Sequence, residues 1–77
     1  MKSQELKPLS LVKAGQRVRI VRVDAGQNLN SRLSSMGIIP TVELTVINNA
    51  YPGPIIVNVK NSKVMLGRGM AHKIMVI

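Results

Sequence analysis

The sequence contains no cysteine. This absence excludes disulfide bonds, a thiolate nucleophile and any zinc or iron–sulfur site that needs cysteine ligands. Stability must therefore come from packing alone, and a chain of 77 residues has room for one small domain with a modest core. We expect residues 1–77 to form that single domain.

Aromatic side chains are almost absent, since Tyr51 is the one aromatic residue of the chain. Proteins of β type that read RNA or single-stranded DNA stack the bases on several aromatic rings, so the sequence argues against that mode of binding. Acidic residues are also scarce: 11 Lys and Arg face three Asp and Glu, which gives a net charge of +8 and favours an acidic partner. A basic nucleic-acid-binding barrel that holds phosphates without reading the sequence stays an alternative, and so does a solvated basic surface.

Groups that could carry out catalysis are few. The chain has one histidine, His72, and its acidic residues Glu5, Asp24 and Glu43 are far apart in the sequence. General acid–base catalysis needs paired carboxylates or a histidine oriented by a partner, so we expect no catalytic residues and no enzyme activity. A P-loop motif is absent and Gly67-Arg68-Gly69 is too short to replace it, so we expect no cofactor and read this tripeptide as a bend.

His72 is the single candidate metal ligand of its type, with Met70 and Met75 as soft neighbours in the chain. Transition-metal sites usually gather three or more His, Cys or carboxylate ligands, and methionines in such positions are more often core residues. We therefore expect no intrinsic high-affinity metal site in the monomer. His72 is expected in an exposed turn before the last strand, while a site shared between chains stays open.

Long apolar runs are missing as well. No stretch approaches the roughly 20 apolar residues of a spanning helix, and residues 1–10 lack the apolar segment of a signal peptide. We therefore expect a cytoplasmic protein.

Short segments with strand character lie between turn signals, and this pattern predicts a mainly β fold, a small barrel or sandwich. The five segments are residues 17–23, 42–46, 55–59, 64–66 and 74–77. Within 17–23 the apolar residues change parity after Ile20, which indicates a β-bulge or bend between residues 20 and 21. Asn61 suits a tight turn between the third and fourth segments, and the last segment is expected to close the barrel.

One stretch has helical rather than β periodicity. Its apolar residues fall at positions i, i+4 and i+7, namely Leu29, Leu33 and Met36. Asn28 or Asn30 is a candidate N-cap, and Gly37 suits the left-handed conformation that ends a helix. The spacing predicts a two-turn helix between the first and second strands, with Leu33 buried and Arg32 directed to solvent.

The order of these segments resembles the FeoA family of ferrous iron transport accessory proteins. The most specific part is residues 32–40, which read Arg-Leu-Ser-Ser-Met-Gly-Ile-Ile-Pro, and the Pro-Gly-Pro loop at 52–54 also fits. The resemblance extends from about residue 6 to residue 77. Two places depart from the usual pattern: Thr41 follows the proline where glycine is usual, so we expect a different turn type there, and residues 67–71 read Gly-Arg-Gly-Met-Ala.

The resemblance implies a five-stranded SH3-like barrel with one short inserted α-helix. It also implies an adaptor in iron homeostasis, linked at the family level to transition-metal ions. Such an adaptor acts by contact with a membrane permease for Fe²⁺ that carries a cytosolic GTP-binding domain, at the inner face of the membrane. Arginine is favoured at protein interfaces and can hold carboxylates with two parallel hydrogen bonds. The candidate partner-binding residues are therefore Arg17, Arg19, Arg22 and Arg32.

Overall fold

The computed structural model describes residues 5–77. Six strands are present: β1 (Lys7–Pro8), β2 (Arg17–Val23), β3 (Glu43–Asn48), β4 (Ile55–Val59), β5 (Ser62–Leu66) and β6 (Ile74–Val76). A 3₁₀ turn spans Leu9–Leu11, and the helices are α1 (Gln27–Ser35) and α2 (Arg68–Ala71). Neighbouring strands are antiparallel in the order β1-β6-β2-β3-β4-β5. The predicted SH3-like barrel with an inserted helix is confirmed, with one two-residue strand and one single-turn helix more than expected.

The core is built from aliphatic side chains alone. In residues 5–77 no polar or charged residue is buried. Alternation along β3 and β4 directs Leu44, Val46, Ile55, Val57 and Val59 inward, as the sequence predicted. None of the helices in this part of the chain is long and apolar enough to cross a membrane.

Strand β2 changes partner along its length. Its first half, from Arg17 to Arg19, pairs with β3, whereas its second half pairs with β6. The register shifts between Ile20 and Arg22, and Val21 there is exposed while Ile20 is buried. The predicted bulge is thereby confirmed, and it allows one strand to form two sides of the barrel.

Helix α1 covers the core with Leu33, which is fully buried, while Arg32 beside it is exposed. The predicted N-caps are wrong, because the helix begins after Gly26 and Asn30 lies within its first turns. The Nδ2 of Asn30 instead donates to the carbonyl of Ala25 at 2.8 Å, so this side chain satisfies an acceptor before the helix rather than the free N–H groups.

The end of α1 has the predicted geometry. Gly37 has φ +85°, and its N–H donates to the carbonyl of Ser34 at 2.9 Å. The N–H of Ile38 donates to the carbonyl of Leu33, also at 2.9 Å. This pair of bonds is a Schellman motif, and the buried side chains of Ile38 and Leu33 supply the apolar contact that accompanies it.

The turn after α1 contains a strained residue. The N–H of Val42 donates to the carbonyl of Ile39 at 3.3 Å, with Pro40 and Thr41 between them. Thr41 has φ +76°, the value that the third position of a type II turn requires and that glycine usually supplies. The expected change of turn type is therefore wrong: threonine adopts the conformation of glycine here. A β-branched residue pays steric energy for this conformation.

We predict that Thr41→Gly stabilises the protein by about 1 kcal/mol, since it removes a steric cost of about 1–2 kcal/mol against a smaller loss of unfolded-chain entropy. In a domain of this size the melting temperature should rise by about 4–8 °C. Thr41→Ala is the matched control, because alanine keeps the Cβ atom and should give little gain. Thermal unfolding followed by circular dichroism measures both, and an equal gain from alanine would contradict the backbone explanation.

The β4–β5 hairpin also agrees with the sequence. Its two turn residues, Lys60 and Asn61, have φ of +50° and +66°, as a type I′ turn requires. Val59 pairs with Ser62 on either side of the turn. Because Thr45 of β3 pairs with Asn58 of β4, the turn lies beside the start of β3.

Candidate functional site

Arg17 and Arg19 lie on the same outward face of β2, on either side of the buried Val18. The Nη2 of Arg17 is 2.8 Å from Oε1 of Glu43, and these side chains are 72% and 51% exposed. Arg22 lies beyond the register shift and holds Asp24, with Nε 2.8 Å from Oδ1. Exposed pairs of this kind contribute about 0.2–1 kcal/mol, so a partner's carboxylate can replace either acid at small cost.

The other two predicted arginines, Arg19 and Arg32, form no ion pair within residues 5–77. Arg19 is opposite Glu43 in the β2–β3 register, but the carboxylate of Glu43 forms its ion pair with Arg17. Arg32 lies in the last turn of α1 and is exposed. The structure thus brings Arg17 and Arg19 together, sets Arg22 further along β2 and places Arg32 on a different element.

A shallow pocket extends the surface of Arg17 across the sheet to the β4–β5 turn. It has a volume of about 260 Å³ and is lined by Arg17, Glu43, Leu44, Thr45, Asn58, Lys60 and Asn61. Its lining is mainly polar and it lacks the apolar walls that bury small ligands. We call the residues that line this pocket, together with Arg19, the β2 arginine surface. Its geometry suits contact with an acidic protein surface.

His72 is exposed in the turn before β6, as predicted. Its Nδ1 is 3.2 Å from Oγ of Ser10. Across residues 5–77 no three His, Asp or Glu side chains converge, and Met70 packs against the core. In this part of the chain, His72 therefore does not belong to a group of three such metal-binding side chains.

The absence of a tight metal site in the monomer remains a prediction. Calorimetric titration with Fe²⁺, Mn²⁺ and Zn²⁺ at neutral pH should show no site tighter than about micromolar, because one imidazole supplies too few ligands. His72→Ala should leave the titration unchanged. A stoichiometric nanomolar site that this variant abolishes would contradict the prediction.

Sequence reasoning missed a side-chain network that joins three separate segments. The Nδ2 of Asn49 donates to the carbonyls of Ser10, at 3.1 Å, and Val12, at 2.6 Å. Its Oδ1 accepts a hydrogen bond from Nη2 of Arg68 at 2.7 Å. Asn49 therefore ties the β3–β4 loop to the 3₁₀ turn and to helix α2.

Arg68 also lies against Tyr51, with its Cζ 5.2 Å from the ring centroid, in a cation–π arrangement. The guanidinium is not fully satisfied: Nε is shielded from solvent and has no hydrogen-bond partner within residues 5–77. A buried donor without a partner costs about 1–3 kcal/mol. We call Tyr51, Arg68 and Asn49 the Tyr51–Arg68 cluster. The one sequence feature that indicated this cluster is that residues 67–71 depart from the usual FeoA pattern.

Comparison with known proteins identifies the family. Residues 7–77 match the profile of the FeoA domain. Over 69 residues the chain is 45% identical to a protein of Methanocaldococcus jannaschii named "Putative Fe(2+) transport protein A". The aligned segment covers 90% of this chain and 83% of that protein.

Solved structures agree. The crystal structure of an iron uptake regulatory protein, FeoA, superimposes with a TM-score of 0.89 at 32% identity, over 94% of this chain and 96% of that one. The FeoA protein of Chlorobium tepidum gives 0.80 at 31% identity, over 90% and 67% of the two chains. A manganese-dependent transcriptional repressor shares the fold, with a TM-score of 0.86 at 24% identity over 99% of this chain and 43% of that one. The chain therefore belongs to the FeoA family, as its sequence pattern indicated.

Proposed function

We propose that this protein is an accessory and regulatory protein of ferrous iron transport that binds the cytosolic part of a GTP-binding Fe²⁺ permease. Membership of the FeoA family supports the link to iron transport. The side chains found on the barrel support recognition rather than catalysis. Ser10 lies 3.2 Å from His72, but within residues 5–77 no acidic side chain forms a hydrogen bond with this histidine to orient it.

The observation that carries the proposal is the β2 arginine surface. Arg17 and Arg19 project from one rigid strand, so their positions are set before any partner arrives. Rigid placement lowers the entropy cost of binding. Arg19 forms no ion pair within residues 5–77 and is the side chain best placed to hold an acidic residue of the permease.

Charge also favours action at the inner face of the membrane. The net charge of +8 attracts the protein to the anionic lipids that surround a permease, by about 1 kcal/mol for each Lys or Arg near the surface. On this proposal the protein works in the cytoplasm and reaches the membrane through its partner.

We predict that the protein associates with the soluble GTP-binding domain of the permease in a salt-dependent manner. The association rate should fall as the salt concentration rises from about 50 to about 300 mM, because salt screens the electrostatic attraction between the arginines and an acidic partner. Arg19→Gln should slow association by about threefold or more. Lys73→Gln changes the net charge equally in the exposed turn before β6, beyond the far end of β2, and should have less than about half that effect. Stopped-flow or surface-based kinetics measure these rates.

If the two variants slowed association equally, the β2 arginine surface would not be the binding site. Bulk DNA and RNA serve as competing ligands in the same experiment. Tight binding to nucleic acid with none to the permease domain would replace the adaptor proposal with the nucleic-acid alternative.

A further inference from the structure

We propose that the Tyr51–Arg68 cluster, together with Leu11, forms a second interaction surface that binds a protein segment carrying a carboxylate next to an apolar side chain. The surface is built from the 3₁₀ turn, the β3–β4 loop and α2, and none of its residues belongs to the β2 arginine surface. The proposal goes beyond the contact with a permease and holds for any partner with this chemistry.

The guanidinium of Arg68 is held in place before binding. Asn49 accepts a hydrogen bond from its Nη2 at 2.7 Å, and the ring of Tyr51 lies 5.2 Å from its Cζ. Asn49 is fixed in turn by its two bonds to Ser10 and Val12. An arginine that is already ordered loses little rotamer freedom when it meets a ligand, which raises affinity.

The charge of Arg68 calls for a carboxylate from outside the chain. The side chain is half-buried, and no carboxylate within residues 5–77 lies close enough to form an ion pair with it. Asp24 and Glu43 are engaged by Arg22 and Arg17. A half-buried cation gains more from an ion pair than an exposed one, and the planar fork of arginine matches the two oxygens of a carboxylate.

Exposed apolar groups on the elements that build this surface define the rest of the ligand. Tyr51 is 83% exposed and Leu11 is 66% exposed, although both are large side chains. Leu11 stands between Ser10 and Val12, the two residues that Asn49 holds, and α2 packs against the turn that carries it. Tyrosine and arginine side by side are typical of the residues that dominate binding energy at interfaces. The exposed leucine adds apolar area that a ligand can cover.

Selection from a random dodecapeptide library displayed on phage, against the full chain, tests the proposal. The enriched peptides should share an Asp or Glu adjacent to a Leu, Ile, Val or Phe. For the best synthetic peptide, Arg68→Gln should raise Kd by about tenfold or more and Leu11→Ala by about threefold or more. Lys63→Gln, which lowers the net charge equally elsewhere, should change Kd by less than about twofold.

Two further measurements separate binding from folding. Leu11→Ala removes an exposed side chain that makes none of the hydrogen bonds of the cluster, so its effect on Kd reports binding alone. Replacing Asp by Asn or Glu by Gln in the peptide leaves the protein unchanged and should weaken binding as much as Arg68→Gln. Enriched peptides without a carboxylate, or affinities that Leu11→Ala and peptide neutralisation both leave unchanged, would overturn the proposal. Loss of permease binding in Arg19→Gln has no bearing on these results.

Discussion

Replacing Leu33 with alanine is expected to lower the free energy of unfolding by about 2–5 kcal/mol, the cost of removing a large aliphatic side chain from a packed core. Leu33 lies on the inner face of α1 and is fully buried. Its carbonyl also accepts the hydrogen bond from Ile38 that ends the helix. Alanine has the highest helix propensity, so the loss comes from the cavity and not from the helix itself. Small domains are marginally stable, so a loss of this size removes much of their stability.

Arg32→Ala is the matched control, because it lies next to Leu33 on the same helix but is exposed. This change should alter stability by less than about 0.5 kcal/mol. Urea denaturation followed by circular dichroism gives both values. If Arg32→Ala proved the more destabilising of the two, the orientation of α1 described here would be wrong.

Asn49→Ala should destabilise the protein by about 2–3 kcal/mol, because one substitution leaves several polar groups without partners. The carbonyls of Ser10 and Val12 lose their side-chain donor, and Nη2 of Arg68 loses its acceptor. The part-buried setting of these groups limits the compensation that water can supply. The same variant should also disorder the Tyr51–Arg68 cluster.

Asn48→Ala controls for the loss of an asparagine at the end of β3, since Asn48 is exposed and makes no side-chain hydrogen bond within residues 5–77. Its effect should stay below about 0.5 kcal/mol. Chemical denaturation of both variants measures the difference. Equal effects at the two positions would show that the bonds of Asn49 contribute nothing beyond local strand stability.

The parts of the fold that follow from local alternation could be predicted. Strands β2 and β4 match the predicted segments. The buried residues of β4 recur with period two along the whole strand, and in β2 this alternation covers Val18 and Ile20, before the bulge. The bulge in β2 was visible because the parity of its apolar residues changes after Ile20. Gly37 marked the end of α1 for an equally local reason, its freedom to adopt positive φ.

Features that depend on distant contacts could not be predicted. Strand β1 is two residues long and exists only through its pairing with β6. Helix α2 is a single turn beside the 3₁₀ turn, too short to leave a helical period in the sequence. Asn49 reaches carbonyls 37 and 39 positions earlier in the chain, and no spacing rule links such residues.

The same distinction applies to the functional surfaces. The sequence pointed to Arg17 and Arg19 by charge and strand position, and the structure places them on one face. It did not show that Glu43 already pairs with Arg17, because that contact joins two strands. The sequence predicts only a bend at Arg68, because its contacts with Asn49 and Tyr51 join residues that are far apart in the chain.

Affinity purification of the tagged protein from solubilised membranes of cells that produce the Fe²⁺ permease tests the central claim most directly. We expect that the wild-type protein and Lys73→Gln retain the permease and that Arg19→Gln retains clearly less of it. Nuclease treatment before the purification should leave this result unchanged. Absence of the permease from the wild-type eluate, with nuclease-sensitive nucleic acid in its place, would contradict the account.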